Sequence, residues 1–319
     1  SYLLMGLPGL AYLSGLSEVG WTAIGLAVGT YLNWLIVAKR IRNYTEICGN
    51  SITVPEFLSK RYRDNRNILT AIGAIIIIIF FIPYTASGFS ACGKLFNSLF
   101  GVDYITAMIV SAVVIVLYTT LGGFLAASTS DFIQSCIMTV ALIIVLGFGI
   151  YTAGGIGQVI DNSRELAGYL SLTHSHDQAT GASSPYGFIS IVSTLAWGLG
   201  YFGMPHILLR FMAIEDHKKL KLSRRVATIW VVISMGAAVA IGVVGLSMSK
   251  AGAVPYLEGS SASETIIIQI SSLISTHGVI AALVAGLIIA GILAATMSTS
   301  DSQLLAASSS VSQNPIKDF

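Results

Sequence analysis

The sequence predicts an all-α polytopic membrane protein of about eight membrane helices, the first of them partial. Hydrophobic residues make up 54% of the 319-residue chain and charged residues only 10%, and the mean hydropathy is +0.79. This composition lies outside the usual range for a soluble domain. Long stretches also lack Asp, Glu, Lys and Arg altogether: 19–38, 67–93, 104–130, 132–160, 178–209, 226–249 and 265–300.

The length of these stretches favours helices over strands. A spanning helix needs about 20 mostly apolar residues, whereas a membrane strand needs about half that number and alternates in polarity. Residues 1–17 are also apolar, but they have neither a starting Met nor a basic region, so they do not resemble a signal peptide. We expect them to be the end of a helix that starts before Ser1.

Segment boundaries follow from the flanking residues. We predict membrane segments at about 19–41, 68–100, on either side of the Gly122-Gly123 pair, and at 188–213, 225–249 and 279–310. The Gly25 and Gly29 pair allows close helix approach. The Thr53-Val54-Pro55-Glu56 run predicts a short amphipathic helix that reaches Tyr62, and 262–274 predicts another on the opposite face.

The basic residues predict the orientation, because lysine and arginine near helix ends mark the cytoplasmic side. Seven lie within 39–66, six within 210–225, and Lys317 follows the last segment. The opposite face keeps Lys94, Arg164 and Lys250. We expect the loops 39–66 and 210–225 to be cytoplasmic, and we expect a lipid bilayer rather than a nucleic acid as the partner of this chain.

A polar interruption, 152–186, separates the fifth segment from the sixth and is expected to be an exposed loop. Its His174 and His176 are close enough to share a metal ion, although histidines at this spacing in a loop are more often solvated. No motif of a catalytic site is present: the sequence lacks HExxH, GxSxG, a phosphate-binding glycine loop and a CxxC pair. We therefore expect no enzymatic activity.

Three polar regions at membrane depth are candidates for a transport site, because such groups are tolerated there only around a cavity or ion path. The first is residues 197–206, where three glycines, Pro205 and three aromatics, including Trp197 and Tyr201, interrupt an apolar helix. Such a segment can unwind and bind a solute through its backbone and rings. A kinked, tightly packed helix is the alternative.

The second region is the hydroxyl-rich stretch 294–303. Ala295, Ser298 and Thr299 lie at i, i+3 and i+4, so one carbonyl and two hydroxyls can converge on a hard monovalent cation. The alternative is hydroxyls that bond back to their own helix. Asp301 is either a gating carboxylate or a group at the water boundary.

The third region is 117–124, with Tyr118, together with the carboxylate of Asp131 beyond it. A carboxylate at membrane depth is a functional candidate by default, although Asp131 can also cap a helix N-terminus.

The motifs resemble those of a known family. The stretch Tyr118-Thr-Thr-Leu-Gly-Gly-Phe-Leu-Ala126 resembles the signature of the solute:sodium symporter family, and 197–212, WGLGYFGMPHILLRFM, is similar to its bacterial sodium/proline symporters. The similarity extends nearly end to end, through 3–9, 86–88, 224–225 and 294–299.

This resemblance implies a LeuT-type fold, in which two inverted five-helix repeats surround a midplane site. It assigns 1–151 to the first repeat without the start of its first helix, 152–186 to an external loop, and 187–319 to the first three helices of the second repeat. It implies that Trp197, Tyr201, Pro205 and Tyr118 contribute to proline binding or its gating. Ala295, Ser298 and Thr299 would form half of a Na⁺ site, and Asp131 would lie on the sodium path.

Some residues depart from the family pattern. The family's first core helix carries an essential aspartate and further sodium-coordinating carbonyls just before the position of Ser1. Thr129 stands where a tryptophan is usual, and Met204 stands where a glutamine is usual.

The leading hypothesis is therefore sodium-coupled symport of a small solute, L-proline, in the bacterial inner membrane by alternating access. Another amino acid, choline or a carboxylate is the alternative substrate. A symporter-like membrane domain of a sensor kinase and an intramembrane enzyme are the alternative classes.

Overall fold

The computed structural model describes residues 2–313. Ser1 and Lys317, which enter the predictions for the first segment and for the cytoplasmic face, lie outside the described residues. Five of the described helices are long and apolar enough to cross a membrane, or six when a bent pair over 188–212 counts as one span.

Residues 2–313 form a succession of helices with one small hairpin. In chain order the helices are α1 (Leu7–Ser14), α2 (Leu16–Leu32), α3 (Lys39–Ile47), α4 (Val54–Tyr62), α5 (Ile68–Phe100), α6 (Tyr104–Thr152), α7 (Ile156–Arg164), α8 (Phe188–Leu195), α9 (Pro205–Met212), α10 (Leu220–Lys250), α11 (Gly259–Ser263), α12 (Ile266–Ser275) and α13 (Val279–Gln313). The strands β1 (His174–His176) and β2 (Ser183–Pro185) pair antiparallel. Wider π-helical turns occupy Tyr2–Gly6 and Asn33–Ala38, and tighter 3₁₀ turns occupy Ala196–Phe202 and His217–Lys219.

One predicted boundary needs correction. The second segment does not end near residue 41, because α2, the Asn33–Ala38 turn and α3 form one helix that reaches Ile47. Its Lys39 and Arg40 side chains are exposed, and long basic side chains at a helix end cost little. The fourth and fifth segments meet at Gly123, where the backbone of α6 leaves helical geometry with φ 58° and ψ −156°, so α6 is two helices joined at a kink. The predicted break at the glycine pair is therefore confirmed, and α5 continues through Pro83.

The short helix α4 begins as the sequence predicts. The Thr53 hydroxyl accepts a hydrogen bond from the Glu56 N–H at 3.2 Å, and the Glu56 carboxylate accepts one from the Ile52 N–H at 2.9 Å. These reciprocal bonds satisfy two N–H groups that have no partner inside the helix. Beyond α4, Asp64 accepts a hydrogen bond from the Leu69 N–H, and this bond lowers the pKa of the Asp64 carboxyl.

The helix α13 lies at the centre of the packing and contacts α5, α6, α12 and the Tyr2–Gly6 turn. The helix α1 packs along α10, where Tyr12 is buried at 1% exposure. The Tyr12 hydroxyl donates to Ser249 Oγ at 2.9 Å and accepts from the Leu257 N–H at 3.0 Å. The buried Tyr12 hydroxyl is thus satisfied inside the protein as both donor and acceptor.

The interruption 152–186 is more ordered than the predicted exposed loop. It contains α7 and the β1–β2 hairpin, and its Tyr169 is fully buried, with the hydroxyl donating to the Ala11 carbonyl at 2.7 Å. His176 is 7% exposed, and its Nδ1 lies 3.1 Å from the Ala167 carbonyl oxygen, so the expectation of a solvated side chain is wrong there. Within residues 2–313 no cluster of three or more His, Cys, Asp or Glu side chains could hold a metal ion.

The predicted close approach at Gly25 and Gly29 is confirmed. A Cβ added at Gly25 would meet the Leu195 backbone, and one added at Gly29 would meet the Gly198 backbone. The helix α2 therefore lies directly against the broken segment formed by α8, the 196–202 turn and α9, with only hydrogen atoms between the two backbones.

Gly198→Ala is expected to lower the free energy of unfolding of the full-length protein by about 1 to 3 kcal/mol, because its Cβ would overlap the Gly25 carbonyl. The apparent unfolding temperature in detergent measures this effect. Gly200→Ala is the matched control, since no atom lies within 4 Å of a Cβ at that position. Equal unfolding temperatures for the two variants would contradict this close contact.

Candidate functional site

The oxygen atoms of Ala295, Ser298 and Thr299 converge on one side of α13. The Ser298 hydroxyl lies 3.3 Å and the Thr299 hydroxyl 3.2 Å from the Ala295 carbonyl oxygen, as donors of back-bonds to the helix. Back-bonding places both hydroxyl oxygens beside the carbonyl without requiring a cation. The set is neutral and made of hard oxygen donors, so its chemistry fits a weakly bound monovalent cation.

These hydroxyls face a cavity of about 420 Å³, here called the Ser298 cavity. Its walls come from five parts of the fold: α2 with the Asn33–Ala38 turn, α5, the broken segment, α10 and α13. Residues of these walls include Asn33, Tyr84, Tyr201, Arg210, Trp230, Ser298 and Thr299. The cavity is therefore in contact both with the three-oxygen cluster and with the interrupted helix.

The interruption of the sixth segment is confirmed. The 3₁₀ turn that ends at Phe202 and the helix α9 are bent by 44° relative to each other. A buried side chain from the Asn33–Ala38 turn satisfies part of the freed backbone, since Asn33 Nδ2 donates to the Tyr201 carbonyl at 2.8 Å. Asn33 is 1% exposed, so this bond is shielded from solvent. The broken geometry is thus fixed by a specific polar contact.

The four aromatic and proline positions predicted for the solute lie in different places. Tyr201 lines the Ser298 cavity, and Pro205 is the first residue of α9. Trp197 is 55% exposed, and its ring lies 5.4 Å from the Tyr2 ring. Tyr118 is in a separate position, because its hydroxyl donates to Asp301 Oδ2 at 2.6 Å.

Two carboxylates form a buried polar network at one end of the Ser298 cavity. Asp301 is fully buried and Asp131 is 8% exposed. The Ser302 hydroxyl lies 3.2 Å from Asp301 Oδ1 and 3.3 Å from Asp131 Oδ2. The water-boundary expectation for Asp301 is therefore wrong. The helix-cap alternative for Asp131 is also wrong, because Asp131 lies inside α6, well beyond its first turn.

The cation of this network is Arg210, which the sequence analysis counted only as a cytoplasmic charge. One guanidinium nitrogen of Arg210 donates to Asp131 Oδ2 and, at 2.6 Å, to Ser302 Oγ. Arg210 is on α9, one and a half turns after Pro205, so the helix that starts at the break carries the charge. The feature of the sequence that could have indicated this role is the position of Arg210 directly after the charge-free stretch 178–209.

The helix α13 approaches α5 closely beside this network. A Cβ added at Gly88 would meet the Ser300 hydroxyl, so a larger residue there would require this hydroxyl to rotate. The Gly88 position belongs to the Ala86-Ser-Gly88 motif of the sequence. The motif therefore lies where α5 contacts the helix that carries the three-oxygen cluster.

Comparison with known proteins decides the family. The model of the Sodium:solute symporter family matches residues 1–317. The chain belongs to the sodium:solute symporter family. Its members are transporters, and the resemblance seen in the sequence motifs is confirmed.

Two relatives of this symporter chain are sodium/proline symporters of Staphylococcus aureus, from strains USA300 / TCH1516 and USA300. Each is 40% identical over 313 residues, which is 98% of this chain and 57% of the relative. The chain therefore spans little more than half the length of these relatives.

A solved structure shares the fold. It shows the substrate-bound outward-open state of a Na⁺-coupled sialic acid symporter and matches with a TM-score of 0.75 at 18% identity. The match covers 99% of this chain and 63% of the other. The predicted fold class, an all-α membrane transporter core of the LeuT type, is confirmed.

Arg210→Met is expected to lower the free energy of unfolding by about 2 kcal/mol, because it leaves the Asp131 carboxylate buried without its cation. This is less than the roughly 3 to 5 kcal/mol of a fully buried pair, since the Arg210 side chain is 40% exposed. Apparent unfolding temperatures in detergent measure the effect.

The double variant Arg210→Met/Asp131→Asn should recover most of this loss, because it removes both charges. Arg164→Met, at an exposed arginine of α7, should leave the unfolding temperature unchanged. An additive loss in the double variant would argue against the ion pair.

Proposed function

We propose that the full-length protein couples Na⁺ to the transport of a small solute, L-proline, across the cell membrane. The observation that carries this proposal is the convergence of the Ala295, Ser298 and Thr299 oxygens on the wall of a cavity that the broken sixth segment also lines. Membership of the family and 40% identity to sodium/proline symporters support it.

The three oxygens supply one half of the Na⁺ site in this proposal. Both hydroxyls turn from the helix carbonyl to the ion, which their side-chain torsions allow without moving α13. The Tyr2–Gly6 turn contacts α13. Further ligands come from the helix to which this turn belongs.

The solute is bound beside the break in the sixth segment. Tyr201 and Trp197 offer aromatic faces to an apolar ring, and Pro205 keeps the backbone before it out of the helical hydrogen-bond pattern. Freed backbone groups then remain available to a carboxylate or an ammonium group. Tyr118 acts in gating through Asp301 rather than through direct contact with the solute.

Asp131 and Asp301 lie on the sodium path or form its gate. Their network joins α6, α9 and α13, so a shift of α9 relative to α13 breaks contacts of Arg210. In this mechanism Na⁺ favours the state that binds solute, and rocking of the helices around the break exposes both to the inner side.

The larger arrangement follows the family. In this proposal 1–151 belong to the first inverted repeat, 152–186 form an external segment, and 187–319 belong to the second repeat. The basic regions 39–66 and 210–225 face the cytoplasm of a bacterial cell, which places Lys94, Arg164 and Lys250 outside.

Ser298→Ala and Thr299→Ala are each expected to raise the Na⁺ concentration for half-maximal proline uptake about tenfold, because each removes one oxygen from the ion. Uptake of labelled proline into vesicles that carry the full-length protein and an imposed Na⁺ gradient measures this value. At saturating Na⁺ the maximal rate should stay within about twofold, since the solute contacts are retained.

Ser308→Ala is the matched control, because Ser308 lies on the exposed side of the same helix and back-bonds to Leu305. An equal rate of proline uptake by the wild type with and without the Na⁺ gradient would refute sodium coupling. If choline or a carboxylate inhibited the uptake and amino acids did not, that compound would take the place of proline as the proposed solute. The proposed Na⁺ site would be unaffected by this result.

A further inference from the structure

A second cavity lies on the far side of the Tyr2–Gly6 turn. Its volume is about 270 Å³, room for roughly nine water molecules at about 30 Å³ each, and it is here called the Lys94 cavity. Residues that define it are Tyr2, Met5, Ser87, Ser90, Lys94 and Glu264. The mechanism above uses none of its charged groups.

An ion pair spans this cavity. Lys94 Nζ lies 3.0 Å from Glu264 Oε2. Lys94 belongs to α5, whereas Glu264 directly follows α11. The backbone of Glu264 packs closely against α1, because a Cβ added at Gly9 would lie 2.8 Å from the Glu264 nitrogen. The two charges are therefore held on opposite walls by separate helices.

This ion pair is accessible and can exchange partners. The side chains of Lys94 and Glu264 are 42% and 29% exposed, and solvated pairs of this kind are worth little to stability. A solute with one negative and one positive group can separate the pair, because its negative group can bind Lys94 and its positive group can bind Glu264. The cost of separating the pair is then offset by two new charge-assisted hydrogen bonds.

The rest of the cavity suits a small solute with an apolar body. Met5 is 3% exposed and forms part of the floor, next to the Tyr2 ring. The hydroxyls of Ser87 and Ser90 bond to groups of the protein, to the Tyr84 carbonyl at 2.7 Å and to the Tyr104 hydroxyl at 2.7 Å. Because both hydroxyls already have partners, the charged groups of Lys94 and Glu264 are the ones that select a ligand.

The Lys94 cavity also leads to the broken segment. Tyr2 lines this cavity and contacts Trp197, which lies four residues before Tyr201 of the Ser298 cavity. The Lys94 cavity is therefore in contact with the broken segment through Tyr2 and Trp197.

We propose that the Lys94 cavity is a first recognition site for zwitterionic α-amino acids, whose carboxylate binds Lys94 and whose ammonium binds Glu264. This inference rests on the proposed function and names the charge class of its solute. Cations such as choline and simple carboxylates satisfy only one of the two charges, so the cavity selects against both before they reach the transport site.

Chemical protection tests this site without requiring transport. A cysteine at Ser87, in full-length protein whose Cys48, Cys92 and Cys136 are replaced by alanine, is labelled with a charged thiol reagent. External L-proline should slow the labelling at lower concentrations than prolinol, which lacks the carboxylate, or cyclopentanecarboxylate, which lacks the amine. A cysteine at Ser183 of the β2 strand is the control, and proline should not protect it.

Two charge-neutral variants assign each contact. Lys94→Met should raise the protecting concentration of proline about tenfold, to that of prolinol, because the carboxylate loses its partner. Glu264→Gln should raise the protecting concentration of proline similarly, to that of cyclopentanecarboxylate, because the ammonium group loses its partner. The pair Lys250→Met and Glu165→Gln, which removes an ion pair of 3.1 Å outside the cavity, should change neither value.

The outcomes separate this site from a simple latch and from the proposed function. If both variants changed the protecting concentrations of proline, prolinol and cyclopentanecarboxylate by the same factor, the Lys94–Glu264 pair would only close the cavity. That result would overturn the proposed recognition site. Absence of Na⁺-driven proline uptake by the wild type would refute the proposed function, while the protection pattern would still decide the site.

Discussion

The structure depends on one constraint: inside a bilayer, every backbone polar group needs a partner within the protein. The sixth segment breaks the helical pattern between Phe202 and Pro205, so its freed groups must be met by neighbouring side chains or by a ligand. Asn33 supplies one such partner at the Tyr201 carbonyl. The glycine contacts between α2 and the 196–202 turn bring this asparagine close enough to act.

Charge is placed under the same constraint. The Ser302 hydroxyl lies between the two buried carboxylates of Asp131 and Asp301. Tyr118 donates to Asp301, whereas the guanidinium on the helix that begins at the break donates to Asp131. The solute region and the acidic network are thus connected through α9, and the acidic network is connected to the three-oxygen cluster through α13. In the proposed mechanism movement of α9 changes both, and this movement is the route that we propose for coupling the ion to the solute.

Much of this arrangement could be predicted from the sequence, because the bilayer imposes strong rules on composition. The long charge-free stretches gave the membrane segments, the Gly122-Gly123 pair marked the break in α6, and Thr53 and Glu56 marked the start of α4. The i, i+3, i+4 spacing also placed the Ala295, Ser298 and Thr299 oxygens together.

Contacts between distant segments could not be predicted in this way. Arg210 and Asp131 are 79 residues apart, and nothing in the local pattern of either one indicates the other. The burial of Asp301 and Tyr169 likewise depends on helices far away in the chain. The end of the second segment was missed for a different reason, since basic residues at a helix end are tolerated where they reach water.

The central claim concerns where the coupling ion binds. Equilibrium binding of ²²Na⁺ to the purified full-length protein, compared with that of the double variant Ser298→Ala/Thr299→Ala, tests it without any assumption about the solute. The account predicts saturable binding to the wild type and loss of that binding in the double variant. Undiminished binding in the double variant would contradict it.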